Sequence, residues 1–140
     1  MKEQAIKTLI ESRSEAIHAK EIDRLMSHYS SDIIYFDVVP PLVYVGTDAL
    51  RTRFLNWFAG YESGIRQEVQ ELYGQAQAEI AFASMLIRSG GTLKGGRDTG
   101  LWVRVSNGFQ LLNDKWLITH EHVSVPADLK SGRAIMDIEP

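Results

Sequence analysis

The sequence predicts an α+β fold, with N-terminal helices packed on one face of a strongly curved, mainly antiparallel sheet. Three observations carry this. The N-terminal part holds three stretches with apolar side chains at helical spacing. From residue 65 the spacing changes, and four stretches rich in β-branched and aromatic residues follow through short links. No helical stretch separates those four, so the strand–helix alternation that builds a parallel sheet is missing.

Over residues 2–19, Ile6, Leu9, Ile10, Ala16 and Ile17 form a helical stripe, with Arg13 out of pattern inside it. Ile22, Leu25, Met26 and Tyr29 define a second short helix, which "SSD" at residues 30–32 is expected to end, because Ser and Asp favour turns. "IIYFDVV" then reads as a strand, and Pro40-Pro41 takes the chain off the sheet or along its edge. Thr47 or Asp48 is the expected N-cap of a third helix. Leu50, Phe54, Trp57 and Phe58 line one of its faces, and Gly60 is its stop. Strands are expected at 65–76, 79–89, 99–112 and 116–125. "SGGTLKGGR" between the second and third is read as a mobile hairpin loop. Residues 1–126 form one domain, and 127–140, polar and acidic without a clear period, a C-terminal tail. A bent sheet with helices on its concave side leaves a cone-shaped cavity, the usual setting of a small-molecule site.

Composition excludes several classes. The 140 residues suit one domain. There is no cysteine, hence no disulfide, no thiolate metal site and no cysteine nucleophile, which fits a cytoplasmic location. The first segment, "MKEQAIKTLIESRSEAIHAKE", is too charged for a signal peptide, and no apolar run is long enough for a membrane span. Net charge is −3 with Lys and Arg scattered, so a nucleic-acid partner is not expected. "GGTLKGGR" lacks the Gly-Lys-Ser/Thr ending of a P-loop, and no cofactor is expected.

Two of the four histidines stand in "THEHVS". Strand alternation puts Trp116, Ile118, His120, His122 and Ser124 on one face, and Leu117, Thr119, Glu121, Val123 and Val125 on the other. A His-x-His pair can hold a metal only with further ligands. Asp37, Glu79, Asp98 and His28 stand at no telling spacing, so no metal is expected. The plain alternative for His120 is a hydrogen-bonded core residue. Asp37 follows "IIYF", where apolar neighbours disfavour its charged form and raise its pKa, as suits a general base. The alternative is a turn residue bonded to backbone before the prolines. On the preceding strand Arg104 shares a face with Trp102 and Ser106. Pairing through Asn113-Asp114-Lys115 brings Arg104 and Ser106 beside His120 and His122, a set suited to a carboxylate or enolate oxygen. Arg104 could instead form a structural ion pair with Asp37 or Glu121. Arg88 is a weaker second cation. Tyr35, Tyr44, Phe54, Trp57 and Trp102 are candidate pocket walls, or simply core.

The order of elements, with "SDIIYFDVVPPLVYVGTDALRTRF" and "NDKWLITHEHVS", resembles the NTF2-like (cystatin-like) fold in its SnoaL-like and ketosteroid-isomerase-like branch. The resemblance covers residue 2 to about residue 126. It implies that the Trp116–Ser124 face points into the cavity and that Asp37 matches the isomerase's proton-shuttling aspartate. The chain departs from that enzyme: Arg13 falls near the oxyanion-hole tyrosine, and "TGLWVRVSNGFQLL" has no acidic residue, so steroid isomerisation proper is not expected. The expected function is a small-molecule pocket in a homodimer paired through the exposed sheet face. Its chemistry would be acid–base isomerisation, cyclisation or dehydration of a carbonyl compound, with Asp37 as base and Arg104 and His122 on the oxyanion. The alternatives are a non-catalytic binding module for a small carboxylate, or an assembly domain like the association domain of calcium/calmodulin-dependent kinases.

Overall fold

Apolar stripes at helical spacing form three helices: α1 (Lys2–Ala19), α2 (Ile22–Met26) and α3 (Thr47–Ala59). These lie on one face of a six-stranded sheet in the computed structural model, which describes residues 2–140. The sheet comprises β1 (Tyr29–Phe36), β2 (Tyr44–Val45), β3 (Arg66–Gln77), β4 (Ile80–Thr92), β5 (Asp98–Leu112) and β6 (Lys115–Ser124). Its order is β2-β1-β6-β5-β4-β3, with every neighbouring pair antiparallel except β1 with β6. The parallel pair arises because α3 and the β3–β5 meander separate β1 from β6 in sequence. Ile6, Ile10 and Ile17 of α1 and Leu50 and Phe54 of α3 bury against Ile33, Ile87, Phe109 and Ile118 of the sheet. Each such side chain stabilises the fold by roughly 1.5–3 kcal/mol.

Several expectations are corrected. "SSD" is no turn: residues 30–32 lie within β1, and the chain turns earlier, after α2. Tyr29 opens the strand because its buried hydroxyl is tied to Arg13 and Glu121. Neither Thr47 nor Asp48 caps α3; Gly46 does, at φ 85°, without a side-chain cap. Gly60 ends the helix as expected. The glycine-rich stretch is mostly strand. Gly90 and Gly91 pair with Gly100 and Thr99, leaving only 93–97 as the turn. A Cβ on Gly91 would stand 2.5 Å from the Gly64 carbonyl oxygen, so this glycine permits close backbone approach. Asn113 and Asp114, both at positive φ, make the two-residue turn into β6. Within the tail, β7 (Ala127–Asp128) and β8 (Arg133–Ala134) form a small separate hairpin.

One irregularity decides the orientation of "HEH". Gly108 faces His120 and the next pair is Phe109 with Ile118, so Thr119 is an extra residue in β6. The bulge breaks the alternation. Ile118, before it, and Glu121 and Val123, after it, are buried on the helix side, whereas His122 is exposed on the opposite face. The expectation that Ile118 shares a face with His120, His122 and Ser124 is therefore corrected.

Candidate functional site

A cavity of ≈ 100 Å³ opens between α1, α3 and the covered face of the sheet. Its sheet wall is Ile87, Leu101, Val103, Val105 and Val123, and α3 supplies Phe54 and Trp57. Tyr35 reaches it from β1, packed edge-on to Phe54 at 5.7 Å between ring centroids. The polar lining is sparse: Arg13, Asp37, Arg53, Gln67 and Ser89. Gln67 Nε2 donates to Ser89 Oγ at 2.6 Å, so these two largely satisfy each other.

Asp37 lies one residue beyond β1, where the chain leaves the sheet. Its side chain is only 7% exposed. Oδ1 accepts from the Val38 N–H at 2.7 Å and Oδ2 from Arg53 Nε at 2.8 Å. The expectation of purely apolar surroundings is thus corrected, while the backbone bond matches the turn reading. An ionised carboxylate offers about four acceptor sites, so two bonds fix its orientation and leave it able to take a proton.

Below the cavity, Arg13 of α1 meets Glu121 of β6 in a bidentate pair, Nη2–Oε2 2.7 Å and Nε–Oε1 3.2 Å. Tyr29 donates its hydroxyl to Glu121 Oε1 at 2.9 Å and accepts from Arg13 Nε at 3.0 Å. Asn107 Nδ2 gives Oε1 a further bond at 2.8 Å. Burial, the largest single influence, opposes the Arg13 charge, but the Glu121 carboxylate together with Tyr29 and Tyr35 outweighs it and holds the guanidinium pKa well above its ordinary value. Burial, reinforced by the Glu121 charge, pushes the Tyr35 phenol well up. Arg13 Nη1 and Asn107 Oδ1 are buried without a partner.

Of the sequence-predicted site, Asp37, Tyr35, Phe54 and Trp57 meet in the cavity. Tyr44 stands behind Tyr35, edge-on at 6.3 Å, with its hydroxyl on the Pro40 carbonyl at 2.9 Å. The others lie on the outer face of the sheet, away from the cavity, because Val103, Val105 and Val123 take the inward positions. There Ser106 faces His122, Arg104 faces Ser124 and Arg88 faces Trp102. The predicted proximity of Arg104 and Ser106 to the "HEH" strand holds, but on the wrong side of the sheet. Arg104 Nε donates to Ser124 Oγ at 3.1 Å and pairs with neither Asp37 nor Glu121. Phe36 packs edge-on against His120 and His122 at 4.9 and 5.3 Å, and His120 Nδ1 contacts the Ile34 carbonyl at 2.8 Å. Among the described residues no three His, Asp or Glu side chains gather as a metal site.

Sequence reasoning missed Arg53 altogether. It placed neither Arg13, noted only as out of pattern and near the oxyanion-hole tyrosine position, nor Glu121, noted only as a possible partner of Arg104, in the site, although a signal existed. Each is a charge at a position the local period assigns to the buried face: Arg13 in the α1 stripe, Arg53 between Leu50 and Phe54, and Glu121 between Thr119 and Val123. A buried charge needs a partner, and these three find theirs on other elements.

Helices closing one face of the sheet over an apolar cavity with few polar groups define an α+β cone. The chain belongs to the SnoaL-like domain family of the NTF2-like superfamily, whose profile matches residues 6–128. An NTF2-like protein of unknown function from Pseudomonas putida is 25% identical, with a TM-score of 0.90 over 99% of this chain and 96% of that one. A ketosteroid isomerase-like protein from Erwinia carotovora superposes with a TM-score of 0.75 at 19% identity, covering 87% and 94%. A candidate dehydratase of the NTF2-like family from Streptomyces avermitilis gives 0.80 at 15% identity, covering 91% and 97%. No curated protein matches the chain in sequence. No helix among the described residues is long and apolar enough to cross a membrane.

Proposed function

We propose that the cavity binds a small, largely apolar molecule bearing a carbonyl or carboxylate, and that Asp37 serves there as an acid–base group. The observation that carries this is a carboxylate only 7% exposed, oriented by the Val38 N–H and Arg53 at a cavity otherwise walled by aliphatic and aromatic side chains. On a carbonyl substrate, Asp37 takes a proton from the carbon beside the carbonyl, the electron pair moves onto the oxygen as an enolate, and the proton returns at another carbon. The outcome is isomerisation or, with a suitably placed leaving group or electrophile, dehydration or cyclisation. The likeness to an isomerase-like protein and a candidate dehydratase is in keeping with this class of chemistry. Arg104 and His122 have no part in it, since they face away from the cavity.

The test is deuterium exchange from D2O into the α-position of small cyclic enones. Exchange that requires protein and disappears in Asp37→Asn supports the reading. Exchange unchanged in that variant removes Asp37 as the base, and a cavity that binds without exchange is a binding module. We also propose that two copies pair through the outer sheet face, where Phe36, Tyr73 and Phe82 are exposed. Native mass spectrometry distinguishes a dimer from a monomer or a larger ring, the last favouring the assembly reading.

A further inference from the structure

The ionic groups around the cavity cancel in pairs. Arg53 is matched by Asp37, and Arg13 by Glu121. Among the described residues, no charged side chain other than Arg13, Asp37 and Arg53 lines the cavity. The aliphatic walls provide little screening, so an entering carboxylate would lie near the Glu121 and Asp37 carboxylates with no unmatched cation to receive it. An uncompensated charge in such a setting is strongly disfavoured.

A neutral acceptor finds something different. Arg13 is 4% exposed and lines the cavity. Its Nε and Nη2 are turned to Glu121, and its third nitrogen, Nη1, is buried without a partner. A guanidinium always carries its protons, so Nη1 is a standing donor lacking an acceptor. Tyr35 lines the same cavity, is also 4% exposed, and its hydroxyl makes no hydrogen bond among the described residues. Burial and the neighbouring Glu121 charge keep that phenol protonated at neutral pH, so it is a second donor.

We infer that the cavity selects a compact neutral carbonyl compound over a carboxylate, with the carbonyl oxygen held by Arg13 Nη1 and the Tyr35 hydroxyl. The inference rests on the small-molecule reading above and narrows its substrate class. A volume of ≈ 100 Å³ is below the usual range for drug-sized ligands, which limits the part held inside to a small ring or short chain. Charge compensation by Glu121 lets Arg13 hydrogen-bond the oxygen without attracting free anions. The same donors would stabilise negative charge developing on that oxygen when Asp37 removes a proton.

The experiment is protein-observed NMR on the full chain, ¹⁵N-labelled, titrated with three probes of similar size: cyclohex-2-enone, benzoate and cyclohexene. The enone is expected to shift the Val38, Val103 and Val123 amides together with the Arg13 side-chain N–H signals. Benzoate and cyclohexene are each expected to bind about ten-fold more weakly or worse, a factor of ten being about 1.4 kcal/mol. Tyr35→Phe, which removes only a hydroxyl, is expected to weaken the enone by about three- to ten-fold without altering fold. Benzoate binding as tightly as the enone would overturn the charge selection. Cyclohexene binding as tightly, or enone binding with Arg13 signals unmoved, would overturn the two-donor site. Deuterium exchange read in the same samples reports on Asp37 separately. Enone bound without exchange leaves this inference standing and removes the base, whereas exchange with benzoate preferred does the reverse. No cavity shift with any probe overturns both.

Discussion

Arg13 and Glu121 stand 108 residues apart and form a bidentate ion pair, 2.7 Å at its shorter bond, with side chains 4% and 0% exposed. This pair ties the first helix to the last long strand beneath the cavity. Removing one partner strands the other charge in the core, so Glu121→Leu alone is expected to lose about 3–5 kcal/mol of stability. Replacing both, as in Arg13→Met with Glu121→Leu, is expected to lose far less than the sum of the single changes, because no buried charge remains. Urea denaturation of the four proteins in this cycle measures the coupling. Additive losses would show that the two side chains act independently.

The Asp37–Arg53 pair at the cavity mouth is expected to behave differently. Arg53 is 20% exposed, and Asp37 keeps its bond to the Val38 N–H when the guanidinium is lost. Arg53→Met should therefore cost only about 1–2 kcal/mol. It should reduce α-proton exchange much more than stability, because a carboxylate held at one oxygen rotates away from a fixed proton donor. Thermal melts set beside exchange rates check both halves. A parallel fall in the two would mean that Arg53 is merely structural.

Residues on the outer sheet face are expected to be silent in the cavity. Arg104→Ala and His122→Ala should leave enone binding within about two-fold and stability within about 0.5 kcal/mol of the parent. NMR titration of the two variants settles this. A ten-fold loss in either would restore the sequence-based site.

That contrast shows what the sequence makes legible. Periodicity identifies three helices and the four long strands, since helical and strand spacing separate cleanly in stretches of this length. The hairpin turn at Asn113 and Asp114 joins the expected two strands, but of the expected neighbours only Ser106 faces His122, while Arg104 faces Ser124 and His120 faces Gly108. It does not set their side of the sheet. A single extra residue, Thr119, exchanges the two faces of β6 between Ile118 and His120, and no local signal marks such a bulge. Arg13 and Arg53 at the cavity and Glu121 beneath it carry a signal, as charges inside apolar stripes. Their partners do not, since each comes from a distant element.

The glycine-rich hairpin supplies a further check. A Cβ on Gly90 would stand 2.7 Å from Gly100 Cα, with the Thr99 backbone nearer still, whereas nothing lies within 4 Å of one on Gly95. Gly90→Ala must therefore push strands apart and is expected to lose about 1–3 kcal/mol. Gly95→Ala meets only the strain of its positive φ, expected at about 1 kcal/mol. Denaturation midpoints in the reverse order would indicate that the hairpin tip, and not strand contact, sets the need for glycine.

His28 provides the pH dependence. Burial, followed by the charges of Lys115, Arg24 and Arg13, lowers its pKa to about 4, against 6.5 as the reference value. Between these values the unfolded chain binds a proton that the folded chain does not. Stability is therefore expected to fall as pH drops from about 6.5 toward about 4, with no further loss from this group below that. The ring is only partly buried and the opposing charges are screened, so the loss is expected at about 1–2 kcal/mol, well under the full linkage value. Carboxylates titrate over the lower part of the same range, and a comparison separates the two. His28→Gln removes the titration while keeping a polar group near Ser12, which His28 Nε2 contacts at 2.9 Å. Urea denaturation at about pH 7, 5.5 and 4 should show the variant losing less stability than the parent across that interval. Parallel curves would mean that His28 stays protonated in the fold, held against its three cationic neighbours by an acceptor such as Ser12 Oγ.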